Sequence, residues 1–276
     1  MIFPIVDNPL PDSVARTKEE APAPSLGSAV RGLWLMTWRP RVAWRHLPAL
    51  LATLLAIPAL ASMAGFSHPE RAARFFPWVV VFHFRVALPL YCLSILGDVV
   101  RGELQTNTLV FLATRPLTRA RLFLLKLACE GLWVQIIAAG SMALLLSIGL
   151  VLHVPSIASI ALKLFGIQFL AVLAYGALSA LLGLIHRRFL VVGAIYGLVV
   201  EVGIGQIPTN VNNLSIARHL RTLLANIPTF NSTYQWSPDG TLTSLLVLPI
   251  AAAILTAVAA AFFTWREYHY NEEMHR

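Results

Sequence analysis

Residues 162–207 read LKLFGIQFLAVLAYGALSALLGLIHRRFLVVGAIYGLVVEVGIGQI, and within them two apolar runs, 162–185 and 189–207, are parted only by His186, Arg187 and Arg188. A bilayer core about 30 Å thick needs roughly 20 mostly apolar residues to cross it as a helix, and each run supplies about that many. A basic triplet is too costly to hold at the bilayer centre, so the chain must reverse there. Both runs therefore read as membrane-spanning helices joined by a tight basic turn.

Working outward, four more apolar runs lie at about 47–65, 75–97, 127–152 and 243–265. The spacing predicts an all-α membrane protein with six transmembrane helices. Of 276 residues, 57% are hydrophobic and 12% charged, and the mean hydropathy is +0.71, far from the balance of a water-soluble domain. Six spans with short loops leave no room for a second folded domain.

A formal charge of +8 and a pI near 10.1 would point to nucleic acid in a soluble protein. Here the bases stand in loops between apolar runs and act as topology signals, so no nucleic-acid partner is expected. With the N-terminus inside, the inner segments hold fifteen Lys and Arg and the outer ones five, with Arg85 inside the second span. The positive-inside rule then gives an N-in, C-in arrangement.

The first 28 residues carry Pro4, Pro9, Pro11, Pro22 and Pro24 among mixed charges and lack the basic start and apolar centre of a signal peptide. They read as a disordered cytoplasmic tail, with residues 29–276 forming one transmembrane domain. Val30, Leu33, Trp34 and Trp38 recur at helical spacing among Arg31, Arg39, Arg41 and Arg45, which predicts an N-terminal helix lying in the membrane interface. In the longest outer segment, Ile216, Leu220, Leu223, Leu224 and Ile227 share one face while Arg218 and Arg221 point the other way. That pattern predicts a short amphipathic helix on the outer surface.

Most of the polar chemistry is concentrated between the second and third spans, in GDVVRGELQTNTLVFLATRPLTRARLFLLK, residues 97–126. Leu104, Thr108, Phe111 and Leu112 share a helical face beside Glu103, so the part before Pro116 reads as an amphipathic helix on the inner surface. Thr118 stands where it can cap the helix leading into the third span.

This segment resembles the cytoplasmic loop of ABC-2-type transporter permeases, in which an acidic residue precedes Gly-Thr-Leu, an apolar pair, Arg-Pro-Leu/Val-Ser/Thr-Arg and a downstream Lys. The matching positions are Glu103, Thr108, Leu109, Phe111, Leu112, Arg115, Pro116, Leu117, Thr118, Arg119 and Lys126; Asn107 stands where the family usually has Gly. The resemblance implies a permease subunit of an ABC transporter in the bacterial inner membrane, an exporter, paired with a second permease subunit as a homo- or heterodimer and with separate ABC ATPase subunits. It also implies that the loop, with Arg101, Gly102, Glu103, Thr108, Leu109, Leu112, Arg115, Pro116 and Arg119, couples the permease to the ATPase. Arg101, Arg115, Arg119 and Arg121 could instead merely hold the segment on anionic lipid, at about 1 kcal/mol each, and for any one of them that is the favoured reading.

No Gly-x-x-x-x-Gly-Lys-Ser/Thr run is present to cradle ATP phosphates, so ATP is expected on a partner subunit and no cofactor on this chain. His-Glu-x-x-His and Gly-x-Ser-x-Gly are absent too, so no catalytic residues are assigned and a membrane-embedded enzyme is the weaker alternative. A non-transporting membrane anchor of an ATPase complex would carry the same loop. His153, His186, His269 and His275 lack metal-ligand spacing, and Cys92 and Cys129 sit in apolar runs, so neither a metal site nor a disulfide is expected.

Arg85 and Glu201 fall well inside spans. Arg85, with His83 close by, lies about ten residues into the second, or ~15 Å at 1.5 Å per residue, and Glu201 lies in the outer half of the fifth. Charges at such depth call for a partner or a water-filled cavity, and an Arg85–Glu201 pair is one solution; separate interfacial placement is the other. Glu130 reads as a first-turn residue of the third span, where a carboxylate suits the helix N-terminus. Gly176, Ser179, Ala180 and Gly183 make a small-residue face on the fourth span that favours close helix packing.

Overall fold

The computed structural model describes residues 27, 31, 32, 34, 35, 37, 38, 47–67, 72–101, 118–154, 156–203, 215–234 and 240–265. They form α1 (Leu47–Ser67), α2 (Ala72–Phe82), a π-helical segment (His83–Ala87), α3 (Leu88–Leu96), α4 (Arg119–Val151), α5 (Ile157–Ile185) and α6 (Phe189–Tyr196). A second π-helical segment (Gly197–Gly203), α7 (Ile216–Ala225), α8 (Pro228–Tyr234) and α9 (Thr241–Trp265) complete the order. No strand occurs among the described residues.

Four helices are long and apolar enough to cross a membrane: Phe75–Leu96, Arg119–Val151, Ile157–Ile185 and Thr241–Trp265. That marks the chain as a multi-pass membrane protein. The other two apolar runs are helical as well, with shorter apolar stretches at Leu54–Met63 and Phe189–Glu201. Side chains that a soluble protein would bury face outward, among them Leu246, Ile250, Ile254 and Val258 at every fourth position of α9. A stripe of that kind needs lipid or another apolar surface as its solvent.

α5 is the hub of the bundle. α9 and α3 pack along it, α4 and α6 flank it, and α7 closes one end; α1 lies against α4. Its small-residue face is what permits this approach. A Cβ added to Gly183 would collide with the backbone of Gly97, just past α3, and one added to Gly176 would sit 2.7 Å from a Leu96 methyl. Ala180 and Ser179 on the same face are buried.

Helix limits follow local chemistry. Thr118 caps α4, its hydroxyl accepting the Arg121 amide at 3.4 Å, and α5 stops at His186, with the chain reversing through Arg187 and Arg188 as the basic triplet requires. The first π-helical segment precedes Pro89, whose ring crowds the carbonyl of Arg85 four residues back and offers no N–H to it; widening the turn, with the Leu88 amide reaching back to His83, relieves that crowding.

Two expectations need correction. α4 starts at Arg119, eight residues before its apolar run, so Glu130 is not in a first turn but three turns inside the helix, where it is buried. And α7 is a helix as expected, yet it does not lie on a surface. Ile216, Leu220, Leu223 and Leu224 are buried, and His219 and Thr222 on its other sides are buried too. It is wedged between α5, α9 and both π-helical segments, with His219 Nδ1 3.1 Å from the Ser244 hydroxyl and Asn226 Nδ2 donating to Thr241 Oγ1 at 2.8 Å.

The N-terminal tail of residues 1–28 lies outside the described residues except for Gly27, which is helical. Of the expected interfacial helix, Arg31, Gly32, Trp34, Leu35, Thr37 and Trp38 are helical. Trp34 stacks on Trp38 at 3.8 Å, and the Trp38 indole N–H donates to the Cys129 carbonyl at 3.3 Å while its ring meets Trp133 edge-on at 5.2 Å. This segment is therefore docked on α4, with Trp as a half-buried anchor.

Candidate functional site

Two polar clusters stand at the ends of the bundle among the described residues. At one end, Glu201 stands in the second π-helical segment and aims its carboxylate at the start of α7. Ala217 N–H donates to Oε2 at 2.8 Å, Ile216 N–H to Oε1 at 3.2 Å, the Ser215 hydroxyl to Oε2 at 2.7 Å and the Tyr196 hydroxyl to Oε1 at 3.1 Å. The Ser215 hydroxyl in turn accepts from the Arg218 amide at 3.2 Å, so a serine and a distant carboxylate together satisfy three of the four orphan amides of α7. A buried negative charge at a helix N-terminus is a favourable place for it.

Arg85 belongs to the same neighbourhood. It stands in the first π-helical segment, and the two π-helical segments both abut α7. Arg85 and Glu201 line one pocket, together with Arg218 and Arg221 of α7. Arg85 itself is exposed, whereas Glu201 is buried. Tyr234, at the end of α8, feels Arg85 as well: burial pushes its hydroxyl above the ordinary phenol value and the Arg85 charge pulls it partly back. The structure thus brings Arg85 and Glu201 to one site and hands the carboxylate to the α7 amides. π-helical turns are rare and recur at functional sites, and here both of them carry charge onto one helix.

Deeper in the bundle, His83, Gln168 and Tyr175 are buried at 0%, 0% and 3% exposure, and His83 and Gln168 approach each other short of hydrogen-bond geometry. The polar side-chain atoms of all three find no hydrogen-bond partner among the described residues. Sequence reasoning noted His83 only as a neighbour of Arg85 and missed Gln168 and Tyr175, because a single polar residue in an apolar run carries no periodic signal.

At the opposite end stands the root of the 102–117 segment. Gly102, Glu103, Thr108, Leu109, Leu112, Arg115 and Pro116 lie outside the described residues; Arg101 and Arg119 flank them. Arg101 Nε donates to the Gly183 carbonyl at 2.9 Å and its Nη1 to the Arg187 carbonyl at 2.7 Å, with its guanidinium 5.8 Å from the Phe189 ring centroid. A cation on the last carbonyls of a helix meets the negative end of its dipole, so Arg101 is bound to the C-terminus of α5. Arg119 is the first residue of α4 and is exposed. Val99, Val100, Phe123, Leu184, Ala260 and Phe263 pack beneath this end, with Phe123 stacked on Phe263 at 5.6 Å.

Among the described residues no group of His, Cys, Asp and Glu is placed to hold a metal ion. Cys92 and Cys129 are buried free thiols. No family model, curated protein or solved structure matches this chain.

Proposed function

We propose that this protein is the permease subunit of an ABC transporter of the ABC-2 type, an exporter with six spans and both termini in the cytoplasm of a bacterial cell. It works with a second permease subunit and with separate ATPase subunits that bind ATP. The observation that carries the reading is the 102–126 motif, with Glu103, Thr108, Leu109, Arg115, Pro116 and Arg119 at matching positions between two apolar spans.

The way that segment is rooted supports a coupling role. Its first flank, Arg101, is tied to the C-terminus of α5, the helix on which most others pack, and its second flank is the capped start of α4. Force applied to the segment from the cytoplasmic face would reach the bundle through those two attachments. The basic turn His186–Arg188 lies at the same end, in line with an inner face under the positive-inside rule.

The test is affinity purification of the tagged chain from native membranes in mild detergent, with mass spectrometry of what co-purifies and a Glu103→Arg variant alongside. Recovery of a P-loop ATPase with the wild type and its loss from the variant is the expected result. Absence of any ATPase from both samples would overturn the assignment.

A further inference from the structure

Arg85 stands in the middle of the second span, between Phe75 and Leu96, or ~15 Å from either end at 1.5 Å per residue. A basic side chain near the end of a span carries its charge out to the headgroups, but from mid-depth that distance is too great. The side chain is exposed and makes no hydrogen bond or ion pair among the described residues. Glu201 lines the same pocket, yet both of its oxygens are taken up by Tyr196, Ser215 and the amides of Ile216 and Ala217.

No other acid in the chain can answer that charge. Inside the six apolar runs the acidic residues are Glu201 and Glu130, and Glu130 is buried in α4 at the end of its run nearest the 102–117 segment. Neither this chain nor a second copy of it has a carboxylate to spare at the depth of Arg85. A guanidinium has five N–H donors and a permanent charge, so its acceptors at mid-membrane come from outside the chain.

The surface around Arg85 is apolar. Trp78, Val86 and Leu90 are exposed along the same span, and α6, which runs beside α3 with Gly193 against Leu93, buries none of its residues. The second and fifth spans thus leave an open apolar flank with one cation fixed at mid-depth. Lipid tails offer that cation nothing, whereas a phosphate or carboxylate matches its planar fork bidentately.

We propose that Arg85 recognises the transported molecule, and that this molecule is an anionic amphiphile, with an oxygen-rich head held by the Arg85 fork and an apolar body lying along Trp78, Val86 and Leu90. That the bound molecule is cargo rests on the permease reading; that it binds at Arg85 does not.

The full chain, purified in mild non-ionic detergent, is titrated against a fluorescent lysophosphatidic acid and against the matching monoacylglycerol, which shares its chain and label but has no phosphate. Fluorescence anisotropy reads the binding. The wild type binds the phosphate probe about tenfold more tightly or better, as charge-assisted hydrogen bonds would give. Arg85→Gln loses that preference and melts at the wild-type temperature or above, while Arg85→Lys, which keeps the charge without the fork, retains part of it. Lys163→Gln removes an exposed base near the start of α5 and binds as the wild type does, which separates recognition from net charge. A preserved preference with no co-purifying ATPase would keep the site and remove the transporter; a co-purifying ATPase with equal binding of both probes would do the reverse. Equal binding of the two probes by the wild type, an undiminished preference in Arg85→Gln, or a lowered melting temperature in that variant would overturn the proposal. So would displacement of the phosphate probe by excess inorganic phosphate, which has no apolar body.

Discussion

Glu201 accepts the amide of Ala217 at 2.8 Å across sixteen positions of chain, so a residue on the fifth apolar run holds the start of a separate helix. The same carboxylate also takes the Ile216 amide and the Ser215 hydroxyl. α7 is only ten residues long, too short to be stable alone, and its placement depends on this cap and on the apolar face it buries.

Replacing Glu201 with Gln keeps the shape and one acceptor oxygen but removes the charge. The expected cost is about 1–3 kcal/mol of local stability, the range for a hydrogen bond to a charged group. Trypsin supplies the readout, because Arg218 and Arg221 are cleavable only when α7 opens. Cleavage there should quicken in Glu201→Gln while the rest of the digest is unchanged; identical digests would show that the carboxylate does not hold α7 in place.

Arg101→Lys retains the charge but cannot reach the Gly183 and Arg187 carbonyls together with two fixed donors. The variant should assemble normally, with a melting temperature in detergent lowered by a few degrees. If the permease assignment holds, it should also bind its ATPase yet stimulate ATP turnover less. A variant with unchanged stability and unchanged stimulation would remove Arg101 from any coupling role.

The contact of Gly183 with the Gly97 backbone leaves no space for a methyl group. Gly183→Ala must push α3 and α5 apart, at about 1–3 kcal/mol or more, and should reduce the yield of monodisperse protein on size-exclusion chromatography. Gly166→Ala, on the same helix with no atom within 4 Å of the added carbon, should elute as the wild type does. Equal yields would mean that the two backbones are not in contact.

His83 and Gln168 are both fully buried side by side, and neither completes a hydrogen bond among the described residues. Desolvating such groups costs about 1–3 kcal/mol each. His83→Leu combined with Gln168→Leu should therefore raise the melting temperature rather than lower it, provided the larger apolar side chains fit. A clear fall would show that the two polar groups are engaged by each other in the membrane, and would point to a function that keeps them there.

Much of the architecture was legible in the residues. The six apolar runs are helical wherever they are described, the reversal at His186–Arg188 and the Thr118 cap stand where local chemistry put them, and Gly176, Ser179, Ala180 and Gly183 form a packing face as their spacing implied. Local rules sufficed because a bilayer leaves the backbone few choices: every N–H and C=O must be met within its own segment. Glu130 was misplaced because the polar residues before an apolar run do not stop a helix from starting earlier. The amphipathic pattern of Ile216–Ile227 was correct about the helix and wrong about its exposure, since the arginine face meets a pocket lined by Arg85 and Glu201 rather than a surface.

The sequence by itself determined that this chain has the apolar helices of a membrane protein, and which segment, 97–126, holds most of its polar chemistry. Only the tertiary structure decided what each charge does. Arg101 meets the end of α5, Glu201 meets the start of α7, and Arg85, Arg218 and Arg221 converge on one cavity. The physical reason is range: helix formation and membrane insertion depend on residues within a few turns, whereas the partner of a charge is set by which helices pack together, and that contact joins positions as distant as 101 and 183.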